Sequence, residues 1–286
     1  MLCSEVIDVI ERRYLERYAL EWDNVGLLAG REDKQTACIY IALDATDEVV
    51  HDAVQCGADM LITHHPLIFG GVKRITDRDF TGRRLLELIR HDISYYAMHT
   101  NYDVAAMGKL AADRMGLKRQ EVLEVTVEEA GEIRAGKAGA DAALGEAGDA
   151  DVKIRQEGIG RIGVFESPVT LKECCESVKS AFGLETVRVF GSLAAAVERI
   201  AICPGSGKSV LKTALGKHAD VLVTGDIGHH EGIDAGAQGM AVIDAGHYGI
   251  EYIFMEDMKR YLAENLADRE SVKIVTAGVC HPFVNV

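Results

Sequence analysis

Apolar and polar positions along this chain switch between two periods, and each switch marks an element. From residue 4 to about 19, Val6, Ile7, Val9, Ile10, Tyr14 and Leu15 recur at helical spacing, which predicts an amphipathic helix with Ser4 as its N-cap. Glu21-Trp22-Asp23-Asn24-Val25-Gly26-Leu27 then reads as a turn entering a short strand, with Trp22 packing beneath it. Apolar runs at 38–43 and 59–63 flank a helical pattern near 46–56. This is a βαβ unit, whose strands pair in parallel. Gly70-Gly71 and Asp77-Arg78-Asp79 mark a loop. A helix at about 81–91 and a strand at 93–98 follow, and a further helix runs from near His99 toward Met115.

The pattern fades between 127 and 157, where Ala, Gly and acidic residues show little periodicity. That stretch reads as a mobile excursion between a first α/β half (1–126) and a second (158–286). The second half brings strands at 161–166, 186–189 and 199–203, with a helix at 170–182. Sliding the chain by 161 positions lays Ile39 and Ile41 on Ile200 and Ile202, and Ala58-Asp59-Met60-Leu61-Ile62-Thr63 on Ala219-Asp220-Val221-Leu222-Val223-Thr224 without a gap. The expectation is a duplicated α/β protein, with a further strand at 240–243.

The strands end on histidines. His64-His65-Pro66 closes the run at 59–63, and Pro66 holds His65 extended, so the two imidazoles point to different partners. His99 and Asp103 follow one strand, and His247 and Glu251 follow another, each pair four apart. Open α/β sheets place their chemistry beyond the carboxyl ends of strands. Taken singly, His-x-x-x-Glu describes a solvated helix face, and His99-Thr100-Asn101-Tyr102-Asp103 a helix cap. Together, four histidines and two carboxylates exceed the needs of one tetrahedral ion and match two divalent ions sharing a carboxylate. Zinc, iron, manganese, cobalt and nickel all suit imidazole with carboxylate. Two such ions would activate a water at neutral pH, which is the chemistry of a hydrolase.

Composition narrows the class. A net charge of -14 argues against nucleic acid or an anionic membrane as partner. No apolar run reaches membrane-spanning length and no signal peptide opens the chain, so the cytoplasm is the expected compartment. Seven cysteines without a CxxC pair fit free thiols. Pro204-Gly205-Ser206-Gly207-Lys208-Ser209 lacks the first glycine of a phosphate loop, because Ile202 stands there. A glycine turn entering a helix can still receive an anion. His51, His91, His218 and His281 have no partner pattern.

Trp22-Asp23-Asn24-Val25-Gly26, Thr63-His64-His65-Pro66-Leu67-Ile68-Phe69, His99-Thr100-Asn101-Tyr102-Asp103 and Gly246-His247-Tyr248-Gly249-Ile250-Glu251 together resemble the NIF-three-like family, whose members are often labelled GTP cyclohydrolase I type 2. The resemblance spans nearly the whole chain. It implies a duplicated three-layer α/β/α fold, a dinuclear metal site between the halves and a ring-shaped homohexamer. It puts His64 and Asp103 on one ion, His65 and His247 on the other, and Glu251 across both, with His99 nearby as an extra ligand or base. It also implies anion capture by Ser206, Gly207 and Lys208 facing the metal cleft, and a role for Asp226 or His230 in orienting ligands or moving protons. Some relatives carry an extra domain in the middle of the chain, where this one has only the Ala/Gly-rich stretch. The expected activity is hydrolysis of a small molecule through a metal-bridged hydroxide, with GTP as the substrate the label implies. The alternatives are a non-catalytic metal scaffold or metallochaperone, and a protein-interaction role.

Overall fold

Each half is framed by parallel strands buried on both faces. The computed structural model describes residues 1–130, 154–266 and 272–284. The chain opens with α1 (Cys3–Glu11), β1 (Gly26–Ala29), β2 (Cys38–Ala42), α2 (Asp47–Gln55), β3 (Met60–Thr63), α3 (Phe80–Arg90) and β4 (Ser94–Ala97). Next come α4 (Thr100–Tyr102), a π-helical stretch (Asp103–Met107), α5 (Gly108–Arg114), β5 (Lys118–Ala130), β6 (Ile154–Thr170) and α6 (Leu171–Phe182). The rest is β7 (Arg188–Phe190), β8 (Ala196–Ser206), α7 (Leu211–Gly216), β9 (Val221–Gly225), α8 (His229–Ala237), β10 (Ala241–Asp244), α9 (His247–Glu251), α10 (Ile253–Asn265) and β11 (Lys273–Thr276). One sheet has the order β1-β4-β3-β2-β11, the other β5-β6-β8-β9-β10-β7.

Alternation along the strands sorts the core into layers. Ile39, Ile41, Met60 and Ile62 face inward from the first sheet, and Ile200, Ile202, Val221 and Val223 from the second. They share one core with Val6 of α1, Val178 of α6 and Phe254 of α10. On the outer faces, Tyr40 and Leu61 pack with α2 and α3, and Ala201 and Leu222 with α7 and α8. Helices therefore cover both faces of both sheets.

The duplication extends to individual hydrogen bonds. Ile39 pairs with Met60 as Ile200 does with Val221, and Ile41 with Ile62 as Ile202 does with Val223. Asp59 Oδ2 accepts from the N–H groups of Ala37 and Cys38, and Asp220 Oδ2 accepts from those of Glu198 and Arg199. The repeated aspartate is thus a backbone clamp at the entry to each parallel pair. The later histidines are one step out of this register. Met98 and Ala245 donate equivalent bonds to Thr63 and Thr224, so His99 lies opposite Gly246 rather than His247.

Several expectations change. The first helix ends at Glu11, not near 19, and a short 3-10 turn (Glu16–Tyr18) follows. Leu15 is extended (ψ 131°), which lets Tyr14 and Tyr18 both enter the core. Ser4 lies inside the helix; Leu2 is its N-cap, and the Leu2 N–H donates to Glu5. Trp22 is 62% exposed instead of packing beneath its turn. The expected excursion at 127–157 is strand at both ends, with Val127 opposite Glu157 and Glu128 opposite Gln156. Charged and polar residues fill these positions: Gln156 donates across to Glu128, Arg155 stands opposite Glu129, and Arg155 also pairs with Glu157 along its own strand, so no apolar run announces the strands. The remainder, 131–153, lies outside the described residues. All seven cysteines are free thiols. No helix among the described residues is long and apolar enough to cross a membrane.

Candidate metal centre

The carboxyl ends of β3, β4, β9 and β10 converge where the halves meet. After β3 the chain must turn sharply while its polar backbone stays satisfied. The Tyr95 hydroxyl does this by hydrogen bonding to Thr63 Oγ1, accepting from the Leu67 N–H and donating to the His65 carbonyl. The corner at His64-His65-Pro66 is thereby fixed. After β10, Gly246 adopts φ +73°, open mainly to glycine, and donates to Asp244 Oδ1. His247 and Glu251 then stand one helical turn apart on α9 and face the same point. Asp103 opens the π-helical stretch, a helical irregularity frequent at functional sites.

Four imidazoles are locked in the same way. His64 Nδ1 lies 2.7 Å from the Met98 carbonyl, His65 Nδ1 2.8 Å from Asp44, His99 Nδ1 2.8 Å from Asp23, and His247 Nδ1 2.9 Å from Asp226. Each Nδ1–H has an acceptor, which turns the other ring nitrogen into the site, where it can hold a proton or ligate a cation. Nε2 of His65 and of His247 are 3.2 Å apart, and they lie 3.1 and 3.0 Å from Glu251 Oε2. His64 Nε2 is 3.5 Å from Asp103 Oδ1 and 3.8 Å from Glu251 Oε1. Among the described residues five buried polar side-chain atoms have no hydrogen-bond partner. Three of them meet here: His64 Nε2, Asp103 Oδ1 and Glu251 Oε2. Orphaned acceptors at this density cost several kcal/mol unless a cation satisfies them. Three overlapping donor groups could hold an ion: His64, Asp103 and Glu251; His65, His247 and Glu251; and His64, His65 and His99.

The electrostatics point the same way. Burial opposes charge on Glu251, but the imidazoles of His247, His64 and His65 override it and hold the carboxylate well below its usual range. Burial also opposes charge on His65, yet Asp44 and Glu251 push it up to about 10, and Glu251 and Asp226 push His247 up to about 9. Burial raises Asp103 to about 7, with the Glu251 charge adding to it, and burial lowers His64. The cluster draws positive charge, which protons or a cation can supply.

Glycines make the room. A Cβ on Gly205, which has φ +75°, would stand 2.5 Å from Glu251 Oε1, and one on Gly225 would stand 2.6 Å from the His247 nitrogen. A model of the family Duf34/NIF3 (NGG1p interacting factor 3) matches residues 1–280. The chain belongs to this family. It is 33% identical over 275 residues to a GTP cyclohydrolase 1 type 2 homolog of Streptococcus pneumoniae, covering 94% of this chain and 93% of the relative. It is 29% identical to one of Clostridium perfringens, covering 99% of each. The crystal structure of a Bacillus cereus protein related to NIF3 superposes with a TM-score of 0.88 at 28% identity, covering 100% of this chain and 99% of that one.

Around this Duf34/NIF3 centre the other residues singled out in the sequence fall differently. Asp226 orients His247, from a left-handed backbone (φ 51°). His230 is exposed on α8 with its ring 5.3 Å from that of His229, and no described contact joins it to the centre. Lys208 pairs with Glu231 at 2.5 Å, and Ser206 is exposed at the end of β8. Gly207 packs against Thr224, where its missing Cβ is required. The glycine turn does not enter a helix directly, since α7 begins only at Leu211. Asp44, Asp23 and Gly205 have roles that the sequence does not assign. Asp44 follows a strand end as His64 does, which is the available signal; Asp23 lies in one of the four motifs behind the resemblance and Gly205 in the 204–209 glycine turn, but neither spacing names a partner.

Proposed function

We propose that this protein is a metal-dependent hydrolase of a small molecule, holding two divalent ions where its halves meet. His64 and Asp103 would hold one ion, His65 and His247 the other, and Glu251 would reach both. When bound, such ions polarise substrate oxygens and make water nucleophilic near neutral pH. The chain supplies the rest. Asp44, Asp226 and the Met98 carbonyl fix the ring orientations, and burial keeps bulk water from the His64 side. His99, fixed by Asp23, presents an Nε2 able to accept or return a proton beside the centre. The observation that carries the reading is the meeting of three orphaned buried donor atoms with imidazoles whose Nδ1 atoms are all occupied.

The relatives' printed name supports GTP as the substrate, with a C–N bond of the purine ring opened by water. The family resemblance adds an assembly of like copies, and the acidic chain suits work on a small molecule in the cytoplasm. Metal analysis of protein never exposed to a nickel column, with anomalous scattering at several absorption edges, tests the centre; finding no bound metal sinks it. Turnover is then assayed on GTP, phosphoesters and cyclic amides. Glu251→Gln should abolish turnover while part of the metal is retained. Metal release to a partner without turnover on any of these would make the protein a metallochaperone instead.

A further inference from the structure

His99 stands between two exposed aromatic rings. The Trp22 ring lies 5.8 Å from its imidazole and the Phe69 ring 5.7 Å, both steeply tilted rather than stacked. Both are large and open to solvent, Trp22 at 62% and Phe69 at 55%. A clustered exposure of this kind marks a binding surface more often than a packing fault. The rings are held in place by their neighbours. Asp23 accepts from His99 and from Thr100, and Asn24 Nδ2 donates to the Ile68 carbonyl at 2.6 Å. One tripeptide, Trp22-Asp23-Asn24, therefore ties the tryptophan, the histidine and the Phe69 loop together.

Beside this bracket is a cavity of about 530 Å³, the size of a small-molecule site, lined by Asn24, Leu28, Phe69, Ile75, Leu85 and Ile89 among others. A second cavity of about 470 Å³ shares the wall formed by residues 68–72 and adds Lys73, Arg74 and Asp79, whose carboxylate is engaged as the cap of α3 by the Gly82 N–H. Neither cation makes an ion pair among the described residues. In a chain of net charge -14, two uncommitted cations next to an apolar cleft indicate an anion on whatever enters.

We propose that Trp22 and Phe69 hold a flat ring of the substrate beside His99, and that Lys73 and Arg74 receive an anionic group carried by it. This is the chemistry of a nucleoside phosphate. The proposal rests on the hydrolase reading only in taking the occupant as substrate. Base stacking on an aromatic side chain tolerates many ring identities, so the bracket sets a class rather than one compound.

Trp22 is the chain's single tryptophan and reports on its own surroundings. The test titrates the full-length protein, with its metal content measured on the same sample, with GMP, guanosine and ribose 5-phosphate. Emission and calorimetry are both followed. GMP and guanosine should shift Trp22 emission and ribose 5-phosphate should not. Phe69→Ala, and Trp22→Ala followed by calorimetry, should weaken both purines about tenfold. Replacing Lys73 and Arg74 together by Ala should weaken GMP and spare guanosine. Equal binding of GMP and ribose 5-phosphate with unmoved emission would overturn the proposal. So would emission that follows protein concentration instead of ligand, which would make this face a contact between copies. Metal bound without ring dependence removes the bracket alone; ring dependence without metal keeps the bracket and removes the hydrolase reading.

Discussion

At the scale of single residues, the hydrogen bonds behind the imidazoles matter as much as the imidazoles. Asp226→Asn and Asp44→Asn each leave the ring in place but offer Nδ1 a poorer acceptor. Each should weaken metal binding by about 10–100-fold, read by competition with a chromogenic chelator, with circular dichroism unchanged. Protons compete for the same positions. His65 at about 10 and His247 at about 9 both lie above the ordinary imidazole value. Their protonated forms therefore stabilise the metal-free fold fully below about pH 6.5, and that contribution is lost as pH climbs through about 9 and about 10. Metal displaces these protons, so affinity should rise with pH across that window. Calorimetry in two buffers of different ionisation enthalpy measures the protons released; none released would contradict the assignment. The histidines were legible in the sequence because each ends a short apolar run. The roles of Asp44 and Asp23 were not, although Asp23 lies in a family-like motif, because an aspartate in a turn is ordinarily solvated and no spacing names its partner. Lys208 and His230 enter through the family resemblance rather than through any spacing to a partner, and one is committed to Glu231 while the other faces solvent.

At the scale of elements, the first βαβ unit was readable to within a residue or two and the second to within about three, since buried parallel strands are continuous apolar runs bounded by breakers. The repeat was readable for the same reason, and its aspartate has a structural cause. Asp59→Ala and Asp220→Ala each strip two backbone N–H groups of their acceptor. Each should cost about 1–3 kcal/mol in urea unfolding, and similar losses from the two halves would mark the clamp as an equivalent part of both. What escaped was set by tertiary context. The break in the first helix follows from seating Tyr14 and Tyr18, and the long pairing of β5 with β6 runs through charged and polar positions that leave no apolar alternation to read. The one-residue offset between His99 and His247 escaped as well. Equal spacing to Asp103 and Glu251 suggested equivalent positions, but the backbone bonds of Met98 and Ala245 fix another register.

At the scale of the whole molecule, donors more than 150 positions apart meet at one point, so metal binding should fasten the halves together. Removing metal with a chelator should lower the thermal midpoint and restoring it should raise the midpoint. At a thousandfold excess over the dissociation constant the gain is about 4 kcal/mol. A midpoint indifferent to metal would mean the ions add nothing to the fold. Duplication was visible across the parallel βαβ core of each half, but the path of β11 was not. β11 pairs with β2 at the outer edge of the first sheet, Ile274 opposite Ile39. Translation delivers these residues some 230 positions after their neighbour. An emerging polypeptide consequently holds an unprotected edge along β2 until β11 follows, and a ribosome stalled before residue 273 should expose that edge to chaperones or to strand pairing with another nascent chain.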